Sequence, residues 1–311
     1  MRVATNSFTS SLIDQLNTLS ARQTRLQTEA ATGQRLISPE DDPAAMRRVL
    51  DLQSEGTGIA QFQKNISSLT EKAGASYEVM SGLKKISDRV GEIATLADGT
   101  KSPEQLKIYA TEVTQLIRQA VQSVNGKHRG DYLLGGTNTD QPPFVASFDA
   151  DGNATSVTYQ GNTDVPDVEV SEGSFVTAQM PGANTSGSGP RGLVADSRFG
   201  ADLFGHLISL QNHLLAGDTA SISAVDHAAL GKDEENLIYQ MGTNGALQSR
   251  LEAAGNLASR RALSVDGLVS KEADADLAET LVRLNQTQTA YSAALQSGAN
   301  IMQRSLLDYL H

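Results

Sequence analysis

At 311 residues the chain is long enough for about two domains. Its 25 lysines and arginines against 36 aspartates and glutamates leave a net charge of −11, which argues against nonspecific nucleic-acid binding, because the counterion release behind such affinity needs clustered cations. Cysteine and tryptophan are absent and aromatics make up 5% of the chain, so disulfides, thiolate zinc sites and cysteine nucleophiles are excluded and a large aromatic-lined pocket is disfavoured. No run of about 18 apolar residues occurs, and the residues after Arg2 form no apolar signal core. The sequence thus predicts a soluble protein without membrane insertion, placed in the cytoplasm or outside the cell by a route that reads no cleavable signal.

The first predicted helix carries a seam of Leu12, Leu16, Leu19, Gln23, Leu26 and Ala30, stepping by 4, 3, 4, 3 and 4 residues. Such spacing draws one narrow apolar stripe, suited to knobs-into-holes packing, and a polar Gln23 within it fixes register at a cost in stability. The run GQRLISPEDDP between Gly33 and Pro43 stops this helix, since two prolines and the turn formers Ser38, Asp41 and Asp42 oppose its continuation. Asp42 before Pro43 reads as the N-cap of a new helix with proline at its first position. The paired carboxylates Asp41 and Asp42 suit a helix start better than acid–base chemistry.

The new helix is predicted to be long. Val49, Leu52, Gly56, Ile59, Phe62, Ile66, Leu69, Ala73, Ser76, Met80, Leu83, Ile86, Val90 and Ile93 keep near-heptad spacing up to Asp98-Gly99. Ser102 and Pro103 open a further helix with Leu106, Tyr109, Val113, Leu116, Ala120 and Val124 on one face, ended by Asn125-Gly126.

From about residue 140 to 200 the composition turns to Gly, Asp, Asn, Thr, Val and Pro. PFVASF, TSVTYQ, DVEV and SFVTAQ read as strands, the first two joined by a hairpin loop at Asp149-Ala-Asp-Gly-Asn153. This block holds eight acids and two bases, a net of −6, so it carries more than half of the chain's net charge of −11. NTSGSGPRG (184–192) reads as a flexible link back to helices, which resume near Leu203 and are punctuated by Gly217 and by Gly242-Thr-Asn-Gly245. The last helix repeats the pattern of the first, with Leu277, Leu281, Leu284, Gln288, Tyr291, Leu295, Gly298 and Met302 stepping by 4 and 3 in alternation. Residues 1–32 and 277–311 carry net charges of +1 and 0, so the two stripes can approach one another closely.

Motifs for chemistry are weak throughout. The 149–153 loop has glycine at position 4 and would place Gln160 at position 12, which does not match an EF-hand. His206 and His213 stand seven apart, wider than the usual three to five residues of a zinc pair on one helix. Nucleophile-elbow, zincin, Walker and strand-associated dinucleotide fingerprints are missing, Arg129-Gly130-Asp131 reads as a turn at a helix exit, and the sequon at Asn65 falls in a predicted helix. No cofactor, metal or catalytic residue is expected. The fold expected is mainly α with a small β insertion, an elongated helical rod with its N- and C-terminal helices paired as a coiled coil. Its parts are a terminal coiled-coil domain (1–42 and 277–311), a helical rod domain (43–139 and 201–276) and a β-rich domain (140–200).

Three ordered runs resemble the flagellin superfamily. They are TGQRLISPEDDP (32–43), with Gly33, Arg35, Ser38, Asp41, Asp42 and Pro43 as its motif positions; YLLGGTNTDQPPF (132–144); and ETLVRLNQTQTAY (279–291), continued by IMQRSLLDYL (301–310). Pro39, Pro43 and the ending SLLDYL resemble the junction branch of that family more than its filament flagellins. The resemblance covers about the first 145 and the last 75 residues. It implies a non-enzymatic structural part of the bacterial flagellum, an adaptor between hook and filament, with filament flagellin as the alternative. The implied route is secretion through the flagellar export channel to an extracellular place at the hook–filament junction. The implied partners are copies of itself in a ring, another hook-associated junction protein, flagellin, the export apparatus and an export chaperone. The implied assembly interface is the pair of stripes, Leu12, Leu16, Leu19, Gln23 and Leu26 with Leu277, Leu281, Leu284, Gln288, Tyr291, Leu295 and Met302, while the β-rich domain faces outward.

Overall fold

The structure, a computed structural model, describes residues 3–309, with side chains described for residues 10–300. It is mainly α and packs into two compact units, one from residues 1–58 and 261–311 and one from residues 59–260. The three-part division expected from the sequence follows composition; the packing follows the long helices, and the β-rich stretch is built into the second unit. Helices α2 (Pro43–Leu96) and α6 (His227–Ala273) supply residues to both units.

In the first unit, α1 (Val3–Thr32) and α7 (Leu277–Tyr309) lie antiparallel, with Leu12 over Gly298 and Leu26 near Thr280. A small core of Leu36, Ala45, Val49 and Ala273, flanked by Met46 and Val269, closes the start of α2 on the end of α6.

In the second unit, α3 (Pro103–Val124) starts with a capping box: Gln105 N–H donates to the Ser102 hydroxyl and the Gln105 side chain accepts from Ser102 N–H. The α2 seam from Ile59 to Ile93 is almost wholly buried, as its spacing predicts. On α3 the buried face is Leu106, Ala110, Val113, Thr114, Ile117, Ala120 and Val124; Tyr109 and Leu116 pack at its margin. A straight helix of 3.6 residues per turn drifts off a strict heptad, and α4 (Leu203–Ala216), which the single turn α5 (Thr219–Ser221) follows, packs on the drifted face. Gln211 of α4 is fully buried there; its Oε1 accepts from Thr114 Oγ1 (2.8 Å) and from Ala154 N–H (3.1 Å), and its Nε2 donates to Ala154 O (3.1 Å).

Nine short strands follow α3. β1 (Lys127–His128) and β2 (Asp131–Tyr132) make a hairpin whose turn is Arg129-Gly130, with Arg129 at φ 53° and ion-paired to Glu71. β3 (Phe144–Phe148) pairs antiparallel with β4 (Ala154–Tyr159), and β5 (Val168–Ser171) with β6 (Ser174–Val176), close to the runs read from sequence. Between β3 and β4, Asp149 accepts from Asn153 N–H (2.8 Å) and from its side-chain amide (3.1 Å), which fixes the loop as a hairpin turn. The sequence gives no sign of β7 (Ala183–Asn184), β8 (Ala195–Asp196) and β9 (Ala201–Asp202), where β8 runs parallel to β7 and antiparallel to β9.

Two segments depart from the sequence expectation. The 184–192 segment is an ordered loop, because buried Asn184 donates to Ser188 O (2.7 Å) and Pro190 O (2.6 Å) and accepts from Ser186 N–H (2.9 Å) and Oγ (2.7 Å). Gly242 and Gly245 do not interrupt α6; between them buried Asn244 donates to Ala73 O of α2 (3.1 Å), and such tertiary packing overrides a helix-propensity cost of about 1 kcal/mol per glycine.

One phenol joins the strands. The Tyr159 hydroxyl lies 2.9 Å from both Leu134 O and Asn162 O and accepts from Gly182 N–H at 3.2 Å, while its ring packs on Phe144. Tyr159→Phe removes the hydroxyl donor of Asn162 O, while Gly182 N–H and Leu134 O keep their own bond of 2.9 Å, and is expected to destabilise the second unit by about 1 kcal/mol, read as a lower urea midpoint. An unchanged midpoint would remove the hydroxyl from this role.

Candidate assembly interface

The α1 stripe is where its spacing predicts. Leu12, Leu16, Leu19, Gln23 and Ala30 are half-buried and Leu26 is buried, while the positions between them are mostly exposed. On α7 the residues turned away from solvent are Thr280, Leu284, Thr287, Tyr291, Ala294 and Gly298, again in steps of 4, 3, 4, 3 and 4. This corrects the pairing expected within the chain: Leu277, Leu281, Gln288 and Leu295 are exposed, the three leucines at 49%, 50% and 46%. Met302 lies outside the residues whose side chains are described.

The difference has a geometric origin. The row 284, 291, 298 belongs to two possible seams, one completed by Leu281, Gln288 and Leu295 and the other by Thr280, Thr287 and Ala294. Leucine content favours the first, whereas close packing favours the second, since small residues on α7 give the α1 leucines somewhere to enter. Gly298 shows how tight the approach is, for a Cβ there would stand 2.6 Å from Leu12 Cδ2. Thr280, Thr287 and Ala294 are therefore the interface residues that the sequence reading missed, and their 4–3 spacing with Leu284 and Tyr291 was the available signal. Within the unit α1 supplies the bulk and α7 the recesses, which leaves a row of leucines on α7 open.

The family-motif positions all act at the turn that brings the ends together. Gly33 ends α1 at φ 72°, a conformation that costs a side-chain-bearing residue more than glycine, and its carbonyl accepts from Ala275 N–H (2.8 Å). Arg35 N–H donates to Ala273 O (2.7 Å) and Arg35 Nη2 to Glu272 O (2.6 Å), so residues 33–36 lie against 272–275. Asp41 accepts from the N–H groups of Ile37 and Ser38, both at 3.1 Å, and these bonds hold its carboxyl below the usual aspartate range. Asp42 accepts from Ala44 N–H (3.1 Å) and Ala45 N–H (3.0 Å), capping α2 with Pro43 at its first position. Arg48 grips Glu272 with two bonds of 3.2 and 2.8 Å.

Beside this turn Arg22, Arg25, Arg35, Arg283, Glu29, Asp276 and Glu279 line an open groove of about 560 Å³. Arg25 pairs with Glu29 (2.9 Å) and Asp41 (3.2 Å), and Arg283 with Glu279 (2.5 Å). Mutually paired surface charges of this kind shape a contact surface and offer no nucleophile or proton relay. Among the described residues no group of three or more His, Asp or Glu is placed to hold a metal, and no helix is long and apolar enough to cross a membrane.

Residues 3–139, which include the capped turn at 33–43, match the family described as the bacterial flagellin N-terminal helical region. Over 286 residues the chain is 22% identical to flagellar hook-associated protein 3 of Escherichia coli (strain K12), spanning 89% of this chain and 90% of that one. Its fold is similar to a solved chain of Vibrio parahaemolyticus assigned to the flagellar hook-associated proteins, with a TM-score of 0.63 at 21% identity over 75% of this chain and all of that one. It is also similar to flagellar hook-associated protein 3 of Legionella pneumophila, with a TM-score of 0.58 at 14% identity over 71% of this chain and 97% of that one.

Asp42→Ala strips two N–H groups of their acceptor at the start of α2. The full chain is expected to lose about 1 kcal/mol, measured as a lower thermal or urea midpoint, and an unshifted midpoint would show that the cap carries no weight.

Proposed function

We propose that this protein is a structural component of the bacterial flagellum that connects the hook, through another hook-associated protein, to the flagellin filament. The observation that carries this reading is the open leucine row on α7, on a helix already paired with α1 in a chain whose similarity to hook-associated protein 3 runs almost end to end. Leu277, Leu281 and Leu295 leave a heptad-spaced apolar edge uncovered, and helices bury such edges against other helices. The covering surface is a neighbouring copy in a ring. The charges favour this, since residues 1–32 and 277–311 are near neutral while the whole chain carries −11, so copies meet where repulsion is least.

On this reading the partners are copies of the chain, the second junction protein and flagellin. The export apparatus and an export chaperone act before assembly, and the protein works outside the cell at the hook–filament junction after passing through the flagellar channel. No substrate is turned over.

Two experiments test the proposal. Leu281→Asp with Leu295→Asp changes only the open row; the variant is expected to stay soluble and helical and to fail to join the flagellum in cells lacking the native protein, because burying unpaired carboxylates costs several kcal/mol. Normal incorporation would refute the assembly face. Immunogold labelling of intact flagella with an antibody against residues 140–200 is expected to give a single band where hook meets filament. Label along the whole filament would make the protein a flagellin instead.

A further inference from the structure

We infer that the His206–Asp233 pair is a pH-sensitive latch between α4 and α6, closed in mild acid and loosened in alkali. Four residues of the second unit form two rungs. His206 Nδ1 lies 2.7 Å from Asp233 Oδ2, and His213 Nδ1 lies 2.6 Å from Asp226 Oδ2. The histidines are seven residues apart on α4, and the aspartates are seven apart on the antiparallel stretch formed by a π turn (Ile222–Asp226) and the first turns of α6. Both carboxylates are 1% exposed, whereas the imidazoles are partly exposed, so solvent reaches the His206 ring.

The remaining oxygens are already used. Asp233 Oδ1 accepts from Asp202 N–H (2.8 Å), and Asp226 Oδ1 accepts from Ser209 Oγ (2.7 Å). With neutral histidine the latch therefore holds a buried, uncompensated negative charge, and with protonated histidine it holds an ion pair. The charged groups that act on the His206 ring are the acids Asp233, Asp202 and Asp226. Asp218 stands by His213, and Glu234 on α6 is tied to Lys84 of α2. Lys232 of α6 reaches toward Gly200. The buried face of α3 against α4 carries no titratable group, and Tyr159 of β4 is spent on backbone carbonyls.

The two members shift in the same sense. The hydrogen bond to Asp233 raises His206 above its ordinary value of 6.5, and burial raises Asp233 above the usual aspartate range. The folded chain thus binds protons more tightly than the unfolded chain. The stabilisation from His206 is fully present below the unfolded histidine value and is lost as pH rises through the higher folded value. Because α4 also carries Gln211 and Leu207, Leu210 and Leu214 into the core, loosening it is felt across the unit.

The test uses the full chain. Urea unfolding followed by far-UV circular dichroism at about pH 6 and about pH 9 is expected to give a lower midpoint at the higher pH. His206→Asn keeps an amide donor at the Nδ1 position but does not titrate, and it is expected to show a smaller drop. The folding constant changes about tenfold for each pH unit separating the folded and unfolded titrations. Equal drops in both proteins would overturn the latch. Independently of whether the variant folds, an NMR titration of the wild-type imidazole resonances, assigned through bonds, is expected to place His206 above 6.5, and a value at or below 6.5 would overturn it too.

Discussion

The first unit depends on one backbone crossing, residues 33–36 laid against 272–275. Two segments more than 230 residues apart in sequence are held by Arg35 N–H on Ala273 O and by Ala275 N–H on Gly33 O. Closing so long a loop is entropically expensive, although the cost grows only slowly with length. What fixes the crossing is local: a left-handed glycine ends α1, two aspartates tie off the following turn, and the Arg48–Glu272 pair fastens the start of α2 to the end of α6. Once α1 and α7 start from this corner, they run beside each other and a narrow stripe on each is enough to pair them.

The legible part of the sequence was periodic or punctuated. The α2 seam, the capped starts at Asp42 and Ser102, and the β3–β4 and β5–β6 runs each leave a local signature, because each is decided by residues within one or two turns of the chain. The seam of α7 was half legible. Its common row of Leu284, Tyr291 and Gly298 fits either partner row, and hydrophobicity alone selects leucine where the packed helix pair selects threonine and alanine. Counting apolar residues measures which surface wants to leave water, not which surface fits the first neighbour to arrive.

The second unit hides its organisation for a different reason. Its joints are single polar side chains reaching far along the chain: Tyr159 to Leu134 and Gly182, Gln211 to Thr114 and Ala154, Asn184 around its own loop, and Arg191 stacked on Phe199 and Tyr239 while it bonds Asn236. Read singly, these residues look like surface. The 184–192 segment looks like a linker because it is rich in glycine and serine, yet one buried asparagine fixes it with four hydrogen bonds. Likewise His206 and His213 are uninformative until the fold sets aspartates with the same seven-residue spacing against them. Composition describes how a segment behaves in water, and a buried polar hub reverses it.

The open row on α7 also bears on when assembly happens. Leu277, Leu281 and Leu295 are each about half exposed, so covering them yields on the order of 1 kcal/mol apiece, half of what a fully buried leucine contributes. Their total of about 3 kcal/mol falls short of the roughly 4–15 kcal/mol that association costs in lost translational and rotational freedom. One such edge does not hold two free copies together. On the proposed reading, a copy arriving at a surface where neighbours already stand meets several edges for a single loss of freedom, and association becomes favourable there and not in solution. Leucines at 46–50% exposure suit that requirement: a fully exposed row would drive premature association, and a buried one would leave nothing to join.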